Sequence, residues 1–318
     1  MTPKNCPIVV VGSVNLDHVA TVETLPDPGE TVLARGYQEF SGGKGGNQAI
    51  TAARLGQAVA IVGLSGDDAA AELVRTTLEH EGVDVTWLKA DPAQSTGRAL
   101  VVVDSAAENS IVVVGGANAQ LSPQHIDGAT DLVRDAAVVV AQLEIPLDTV
   151  LAAARLSLGV FILNAAPAHH LKDELLDLVD VLVVNEGEFE AVAGFAAAPD
   201  EATASRLTDS ALHGSVVVTL GAEGALVWSA GRLSSVAAPT VTVVDTTGAG
   251  DTFVGALADA LARGQPLLDA ARWAVHAASL STASLGATTA MPTRDQVLAS
   301  LAASSTEPSA AHEQVRMS

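Results

Sequence analysis

A glycine-rich turn with a carboxylate beside it occurs in the segment DTTGAGDT at residues 245–252. Gly248, Ala249 and Gly250 leave the backbone N–H groups sterically open, and an apolar segment with helical spacing begins directly after them. A helix start of this kind offers unpaired N–H donors and the positive end of the helix dipole to an anion. Asp251 could accept the proton of a hydroxyl group. The pattern favours phosphoryl transfer to a hydroxyl, although an ordinary capped helix start explains the turn alone equally well.

A second glycine-rich segment, SGGKGGNQA at residues 41–49, opens another predicted helix. Its small residues let the backbone approach a ligand closely. Lys44 contributes a cation and Asn47 an amide on the first helical turn. A flexible loop closed by a solvated lysine is the alternative. The turn at 245–252 is not a Walker A loop, because no Lys-Ser or Lys-Thr follows the glycine.

Polar residues also follow three predicted strands. Asn15 and Asp17 alternate after the first strand, and in extended chain they point to one side, as a donor and acceptor for paired sugar hydroxyls. Glu144 follows a second strand. Asn185 and Glu188 follow a third, where a carboxylate could hold Mg²⁺ through water, with helix capping as the alternative.

A further glycine turn, TLGAEG at residues 219–224, follows another predicted strand. Its spacing suits the phosphates and ribose of a nucleotide, although a plain left-handed turn explains it as well. The histidines do not indicate a metal site, because no third ligand accompanies them.

The elements that position these residues alternate between short β-branched runs and longer helical stretches. Strands are predicted at residues 8–11, 59–62, 138–141, 160–163, 181–184 and 215–220. Helices are predicted at residues 46–55, 69–81, 147–156, 186–193, 202–212, 251–263 and 267–281. This order predicts an α/β fold with a mostly parallel sheet flanked by helices on both faces. Ligands in such folds bind at the carboxyl ends of the strands.

Two segments, residues 18–40 and 98–117, carry strand patterns without a helix between strands. The second predicts a hairpin with strands at 99–103 and 111–114. We expect the two segments to pair into a small sheet that covers the strand ends as a lid, with two ordinary surface hairpins as the alternative. One domain then spans residues 1–305, and residues 306–318 are expected to form a disordered tail.

Composition limits the possible partners. The chain has 318 residues, of which 48% are hydrophobic, and a formal net charge of −21. An acidic surface repels nucleic acids and anionic membranes, so neither is expected as a partner. The single cysteine, Cys6, excludes a disulfide within the chain and fits a reducing compartment. No signal peptide or apolar run of about 18 residues is found, so the cytoplasm is the expected location.

Together these motifs resemble the ribokinase family of sugar kinases, the PfkB-type carbohydrate kinases, from about residue 8 to residue 301. The two glycine-rich segments correspond to the two signatures of the family. Shorter ribokinase-like motifs occur at residues 29–31, 95–97, 116–118 and 142–144. The resemblance implies ATP-dependent phosphorylation of D-ribose at its 5-hydroxyl. A deoxyribose, fructose or adenosine kinase of the same fold is the alternative, and a non-catalytic sugar sensor is a third possibility.

The resemblance also implies roles for individual residues. Asp251 would be the catalytic base, and Gly248, Ala249 and Gly250 would form the anion hole for the γ-phosphoryl group. The ribose site would be lined by Asn15, Asp17, Gly43, Lys44, Asn47, Glu144 and Asp251. The nucleotide would contact Asn185, Thr219, Gly221, Ala222, Glu223, Gly224 and Gly250, and Glu188 would act through Mg²⁺ and water.

The same resemblance implies activation by a monovalent cation, usually K⁺. Its ligands, mostly backbone carbonyls, would be Asp245, Thr247, Ser281, Ser284, Gly286 and Ala290. Two positions depart from the family pattern. Ala290 replaces a common serine, so this ligand could be only a carbonyl, and Val275 replaces a frequent polar residue near adenine, which leaves base selectivity open.

The lid predicts a homodimer. A sheet this thin cannot bury both of its faces alone. One face can cover the sugar, and the other, expected to carry some of Val101, Val103, Ile111 and Val113, would pack against a second copy by two-fold symmetry.

Overall fold

The computed structural model of the protein describes residues 6–106, 109–210 and 212–306. These residues form thirteen strands in two sheets and twelve α-helices. The strands are β1 Ile8–Val11, β2 Asn15–Thr21, β3 Gly36–Gly42, β4 Val59–Ser65, β5 Val83–Ala90, β6 Gly97–Val103, β7 Asn109–Val114, β8 Val138–Gln142, β9 Val160–Asn164, β10 Val181–Asn185, β11 Ser215–Thr219, β12 Ala225–Ser229 and β13 Arg232–Val236. The helices are α1 Lys44–Arg54, α2 Ala69–His80, α3 Pro123–Gly128, α4 Thr130–Asp135, α5 Leu147–Leu156, α6 Asp173–Leu176, α7 Glu186–Ala193, α8 Glu201–Thr208, α9 Ala249–Ala262, α10 Leu267–Ser281, α11 Ala287–Ala290 and α12 Arg294–Thr306.

The main sheet has nine strands in the order β13-β12-β11-β10-β9-β8-β1-β4-β5. From β11 to β5 every neighbouring pair is parallel, whereas β12 is antiparallel to both of its neighbours. All four residues of β1 are buried, as expected for a central strand covered on both faces. Ile8 and Val10 belong to one hydrophobic cluster with α1, α9 and α10, and Val9 and Val11 to the other with α5 and α7. The predicted fold class is confirmed.

The six strands predicted for the main sheet all form, but three further strands were not predicted. β5 reads VDVTWLKA, where polar residues interrupt the apolar alternation. β12 and β13 form a hairpin at the edge, and an edge strand can carry polar residues such as those of RLSSV. The helix predicted at 202–212 ends earlier, at Thr208. From residue 307 onward the predicted tail lies outside the described residues.

The smaller sheet has the strand order β3-β2-β6-β7. β2 pairs antiparallel with β3 and parallel with β6, and β6 pairs antiparallel with β7. The hairpin predicted from residues 98–117 is therefore confirmed, and it pairs with the strands of residues 18–40 as expected. β2 begins at Asn15, with only three residues between it and the end of β1. This short connection fixes the small sheet beside the carboxyl ends of the main strands.

The expected division of the small sheet into faces is wrong. Asp17 pairs with Ala99, and Ala99 pairs with Val113, so their side chains lie on one face. By the same alternation Val101 and Ile111 share the face of Asp17, and Val101 is only 7% exposed. Both faces carry exposed apolar side chains, which are Ile111 and Val113 on the Asp17 face, each 49% exposed, and Leu100, Val112 and Val114 on the opposite face.

No helix in the described part of the chain has both the length and the apolar character needed to cross a bilayer.

Candidate active site

The two glycine-rich segments begin two helices, α1 and α9, that pack closely against each other. Gly255 on α9 permits this contact, since a Cβ there would fall 2.6 Å from both the Gln48 carbonyl oxygen and the Thr51 Cβ. Near the start of both helices, Asn47 Nδ2 donates to Asp251 Oδ2 at 2.9 Å, although 204 residues separate them in sequence. The structure therefore joins the two segments at a single carboxylate.

The Asp251 carboxylate is buried, with 8% exposure, and has a fixed orientation. Its Oδ2 accepts from Asn47, and its Oδ1 accepts from Gln48 Nε2 at 3.0 Å. Both oxygens thus receive an amide donor from the first five residues of α1. A carboxylate oxygen has two lone pairs, so each oxygen can still accept one more hydrogen bond.

The turn before Asp251 has the geometry of an anion-binding helix start. Gly248 has a φ of 76°, and a Cβ there would fall 2.8 Å from Ala287 Cβ, so only glycine fits. The Thr252 N–H donates to the Gly248 carbonyl, which leaves the N–H groups of Gly250 and Asp251 among those without an intrahelical acceptor. Gly250 is exposed, and a Cβ there would meet nothing within 4 Å. Packing does not require a glycine at 250, whereas close approach by a ligand would.

Glu144 and Lys44, two of the residues predicted to line the ribose site, lie near Asp251. Glu144 Oε2 accepts from the Ser13 hydroxyl at 2.5 Å and from the Lys44 backbone N–H at 3.1 Å. Burial tends to lower the pKa of the Lys44 ammonium. The carboxylates of Asp251, Glu144 and Glu188 act in the opposite direction and raise its pKa above the ordinary value. Lys44 is therefore charged and faces carboxylates from both halves of the site.

Asn15 is fixed by a neighbour that the sequence did not assign to the site. Asn118 Nδ2 donates to Asn15 Oδ1 at 2.8 Å and to the Val14 carbonyl at 3.0 Å. Asn118 Oδ1 accepts from the Val14 N–H at 3.0 Å. A Cβ at Gly97 would collide with the Asn15 and Asn118 amides, so the glycine makes room for the pair.

Asp17 is a carboxylate with a free oxygen inside the site. Its Oδ1 is buried without a hydrogen-bond partner, and a Cβ at Gly42 would collide with the carboxylate. Burial, followed by the charges of Glu144 and Asp251, raises the pKa of Asp17 to about 7. Such a group lacks a donor, and a sugar hydroxyl would supply one.

The residues predicted for the nucleotide lie along the continuing carboxyl edge of the sheet. Asn185 and Thr219 are paired strand ends of β10 and β11. Asn185 and Glu188 form a reciprocal capping box at the start of α7, so the capping alternative is realised there. Gly221 to Glu223 form an exposed 3-10 turn. Gly224 is buried, with a φ of 100°, and a Cβ would collide with the Val236 carbonyl, so its role is structural.

Among the predicted cation ligands, Asp245 has hydrogen bonds to the backbone of two others, Thr247 and Gly286. Asp245 Oδ1 accepts from the Thr247 N–H at 2.9 Å, and Oδ2 accepts from the Gly286 N–H at 2.8 Å. Burial tends to raise the pKa of Asp245, but these hydrogen bonds outweigh burial, and the pKa is lowered. The Ser281 hydroxyl donates to the Ala278 carbonyl in its own helix. Ser284 is exposed and Ala290 is buried.

Within the described ranges, His, Cys, Asp and Glu side chains do not gather in groups of three that could hold a metal ion. A cation at Asp245 would therefore depend on backbone carbonyls and one carboxylate. An all-oxygen donor set with a single negative charge is compatible with a weakly held monovalent ion.

Sequence reasoning missed several residues that position the predicted ones. Asn118 fixes Asn15, and Ser13 fixes Glu144. Gln48, Gln142 and Asn164 form buried hydrogen bonds next to Asp251. Four of these lie within or beside motifs already noted, and Asn164 is the last residue of its strand. For Gln142 and Asn164, the position at a strand end was the available signal.

A parallel sheet with helices on both faces, a small sheet beside its strand ends and a glycine-rich helix start carrying a carboxylate define a class of small-molecule kinases. The chain belongs to the pfkB family of carbohydrate kinases, whose model matches residues 7–294.

Individual relatives agree with this family. The chain is 37% identical over 297 residues to the ribokinase of Haemophilus influenzae, covering 92% of this chain and 97% of the relative. It is 34% identical over 296 residues to the deoxyribokinase of Salmonella typhimurium, covering 91% and 96%.

Among solved structures, Arabidopsis thaliana ribokinase complexed with ribose and ATP superposes with a TM-score of 0.86 at 35% identity, covering 93% of this chain and 98% of that one. Thermotoga maritima ribokinase gives the same TM-score of 0.86 at 34% identity, with 93% and 99% covered. The family and fold predicted from the sequence are confirmed.

Proposed function

We propose that this protein transfers the γ-phosphoryl group of ATP to the 5-hydroxyl of D-ribose, which gives ribose 5-phosphate and ADP. The observation that carries the proposal is the hydrogen bond between Asn47 and Asp251. It joins a helix start suited to a phosphoryl group with a cluster of sugar-type polar residues. The similarity to ribokinases, one of them complexed with ribose and ATP, supports the choice of sugar and nucleotide.

The sugar would bind between the small sheet and the starts of α1 and α9. Asp17 and Glu144 offer carboxylate acceptors for hydroxyl groups, and Lys44 and Asn47 offer donors. Asn15 and Gly43 would complete the ribose site. The unpaired oxygen of Asp17 supports this arrangement, because a hydroxyl donor would remove the cost of a buried acceptor without a partner.

Asp251 would act as the base for the 5-hydroxyl. As the new oxygen–phosphorus bond forms, the hydroxyl proton passes to an Asp251 oxygen and the bond to ADP breaks. The transition state of phosphoryl transfer is loose, so the proton leaves late and positioning dominates. Within the Gly248–Ala249–Gly250 turn the Ala249 N–H already donates to the Thr246 carbonyl at 3.2 Å, so the N–H groups of Gly250 and Asp251 would stabilise the charge on the equatorial oxygens.

The nucleotide would lie along the exposed edge formed by Asn185, Thr219 and the turn at 221–224, with Gly250 at its phosphate end. Ala222 and Glu223 belong to the exposed part of this turn, whereas Gly224 would contribute through its backbone. Access to an open edge suits a co-substrate that must leave as ADP in each cycle.

Two metal ions belong to the proposal, and the donors present fit both. Glu188, whose charge acts on Lys44, suits Mg²⁺ held through water. Mg²⁺, when bound, neutralises charge on the nucleotide phosphates. For K⁺, the set would be Asp245, Thr247, Ser281, Ser284, Gly286 and Ala290, mainly through carbonyls. The hydrogen bonds of Asp245 already connect the two loops that such an ion would bridge.

A deoxyribose kinase is the second candidate, and the 34% identity to a deoxyribokinase is the observation that favours it. A fructose or adenosine kinase and a non-catalytic sugar sensor are weaker alternatives. A panel of ribose, deoxyribose, fructose and adenosine, assayed with ATP for ADP release, separates them. We expect kcat/KM for ribose to exceed the values for fructose and adenosine by roughly tenfold or more. Preference for another sugar would identify the alternative, and no turnover would leave only the sensor.

We also propose a homodimer formed through the small sheet. The supporting observation is the outer face of Leu100, Val112 and Val114, whose exposures of 46–58% are high for large apolar side chains. Light scattering at micromolar protein tests it, and a fully active monomer would contradict it. The charge of −21 disfavours nucleic acids and anionic membranes as partners, and we expect the enzyme to work in the cytoplasm.

A further inference from the structure

Three buried amide side chains form a hydrogen-bonded chain behind Asp251. Gln142, the last residue of β8, donates from Nε2 to Gln48 Oε1 at 2.6 Å. Gln48, on α1, donates from Nε2 to Asn164 Oδ1 at 3.1 Å and to Asp251 Oδ1 at 3.0 Å. Gln48 and Gln142 are fully buried, and Asn164 is nearly so. The chain thus connects two strand ends of the main sheet with the carboxylate.

The direction of this chain is set by a backbone group. Asn164 Nδ2 donates to the Val183 carbonyl at 3.2 Å, and a carbonyl oxygen can only accept. Asn164 therefore directs its Oδ1, an acceptor, toward Gln48, and Gln48 must donate to it from Nε2. The remaining Gln48 Oε1 then faces Gln142, which has to donate. Each amide orientation follows from the one before it.

The direction of the amide chain determines which Gln48 atom faces Asp251. With this direction, Gln48 presents an N–H to Asp251 Oδ1, while Asn47 presents one to Oδ2. With the reverse direction, Gln48 would place its oxygen against the carboxylate, and two acceptors would face each other without a proton. The two carboxylate oxygens can both be satisfied only if the amide chain keeps its direction.

The backbone leaves space for this chain of amide side chains. A Cβ at Gly12 would collide with Gln142 Oε1, so the glycine after β1 makes room for the Gln142 amide. Gly12 is not in a left-handed conformation, so its backbone does not require glycine. Its absent side chain is explained by the position of Gln142.

We propose that Gln142, Gln48 and Asn164 are positioning residues, which set the orientation of Asp251 by relaying the polarity of the Val183 carbonyl. This proposal rests on the function proposed above, since it concerns the base of that reaction. The relay supplies an amide donor to Asp251 Oδ1, Asn47 supplies one to Oδ2, and each oxygen keeps a second lone pair for the substrate hydroxyl.

Gln142→Glu tests the relay with almost no change of shape. An ionised carboxyl at position 142 can only accept, so Gln48 would turn its N–H toward it and its oxygen toward Asp251. A protonated carboxyl can donate and would keep the original direction. The charged groups around the relay are Asp251, Glu144, Asp17 and Lys44, and burial with three carboxylates would raise the pKa of the new carboxyl.

The expected result is a pH-dependent loss. At low pH the kcat of Gln142→Glu should approach that of the wild type. As the pH rises and the new carboxyl ionises, the ratio of variant to wild-type kcat should fall by about tenfold or more, with KM for ATP changing little. A ratio that stays constant across the pH range in a folded variant overturns the proposal.

Gln57→Glu is the matched control. Gln57 also donates to a buried carboxylate, Asp259 Oδ1, but two turns of α9 away from Asp251. The same chemical change there should alter stability without a pH-dependent kcat ratio. If Gln142→Glu does not fold, Gln48→Met keeps the length of the side chain and removes the donor. Its kcat should fall by about tenfold or more at all pH values with KM for ATP retained, and an unchanged kcat overturns the relay.

A second readout needs no turnover. The side-chain amide protons of Gln48, followed by nitrogen-15 NMR, lie between Asn164 and Asp251 and should shift in Asp251→Asn. Unmoved resonances overturn the relay even if the wild-type protein phosphorylates no sugar. Absence of turnover together with shifted resonances would instead contradict only the proposed function.

Discussion

The proposed sugar side and nucleotide side of the site are built differently. On the sugar side, Asn15, Asn118 and Asp251 are buried. Asn118 donates to Asn15 across 103 residues of sequence, and Asn47 donates to Asp251 across 204. On the nucleotide side, Asn185 and Gly221 are exposed, and the hydrogen bonds of Asn185 with Glu188 are local.

This difference indicates where preorganisation is needed. A small sugar offers only a few hydroxyls, and each must meet a partner whose position is already fixed, because ordering the site on binding would cost affinity. A nucleotide offers phosphates that backbone N–H groups and water can bind at an open edge. Changes on the sugar side should therefore affect both stability and activity, whereas changes on the nucleotide side should affect mainly activity.

The largest effect is expected at the carboxylate where the two sides meet. Asp251→Asn removes the base and should reduce kcat by about 10²–10⁴-fold. Since Asn47 and Gln48 both donate to this side chain, the new amide also leaves one donor unmatched, at a cost of about 1–3 kcal/mol in unfolding free energy. Steady-state kinetics and urea unfolding measure the two effects, and a variant with more than a third of the wild-type kcat would exclude Asp251 as the base.

Gly250→Ala should separate activity from stability on the phosphate side. The new Cβ meets no protein atom within 4 Å, and alanine favours a helix, so the melting temperature should hold or rise. The methyl group would nevertheless occupy the approach of the phosphoryl group and reduce kcat on the order of 10²-fold. Calorimetry and ADP-release assays on the same sample test this, and full activity would show that the ligand does not approach Gly250.

Asp17 should make the sugar side sensitive to pH. Its pKa is raised from 3.8 to about 7, so between these values the folded protein holds a proton that the unfolded chain has released. This contribution to stability is present at low pH and is lost as the pH rises to about 7. Relative to the wild type, Asp17→Asn should gain about 2 kcal/mol in unfolding free energy between pH 5 and pH 7. Parallel urea melts with equal differences at both pH values would contradict the buried, protonated carboxyl.

A pair of asparagines compares the two sides directly. Asn118→Ala leaves the buried Val14 N–H and carbonyl without their partner and should cost about 2 kcal/mol or more of stability. Asn185→Ala removes a helix cap and should cost about 1 kcal/mol. Equal losses in chemical denaturation would remove the distinction between a preorganised side and an open one.

The smallest effect is expected from the monovalent cation. A cation near Asp245 would order the loops of Thr247 and Gly286, which adjoin the phosphate-binding turn. Replacing Na⁺ by K⁺ should therefore raise kcat several-fold. Equal rates in the two salts would contradict the proposed cation site.

The sequence by itself determined the fold class, because β-branched runs and helical periodicity are local properties. It also predicted a phosphoryl-transfer chemistry for the two glycine-rich segments and a role as base for Asp251, and both stay predictions. It did not predict β5 or the edge hairpin of β12 and β13, because polar residues there interrupt the apolar pattern that marks a strand.

Only the tertiary structure decided which residues position the predicted ones. Gln48, Gln142 and Asn164 come from a helix and two strands, and their amides acquire a direction only where a backbone carbonyl faces one of them. The division of the small sheet into two faces likewise depended on strand register, which pairs Asp17 with Ala99 and Ala99 with Val113. Register and hydrogen-bond polarity arise from contacts between distant segments, so no local pattern in the sequence could specify them.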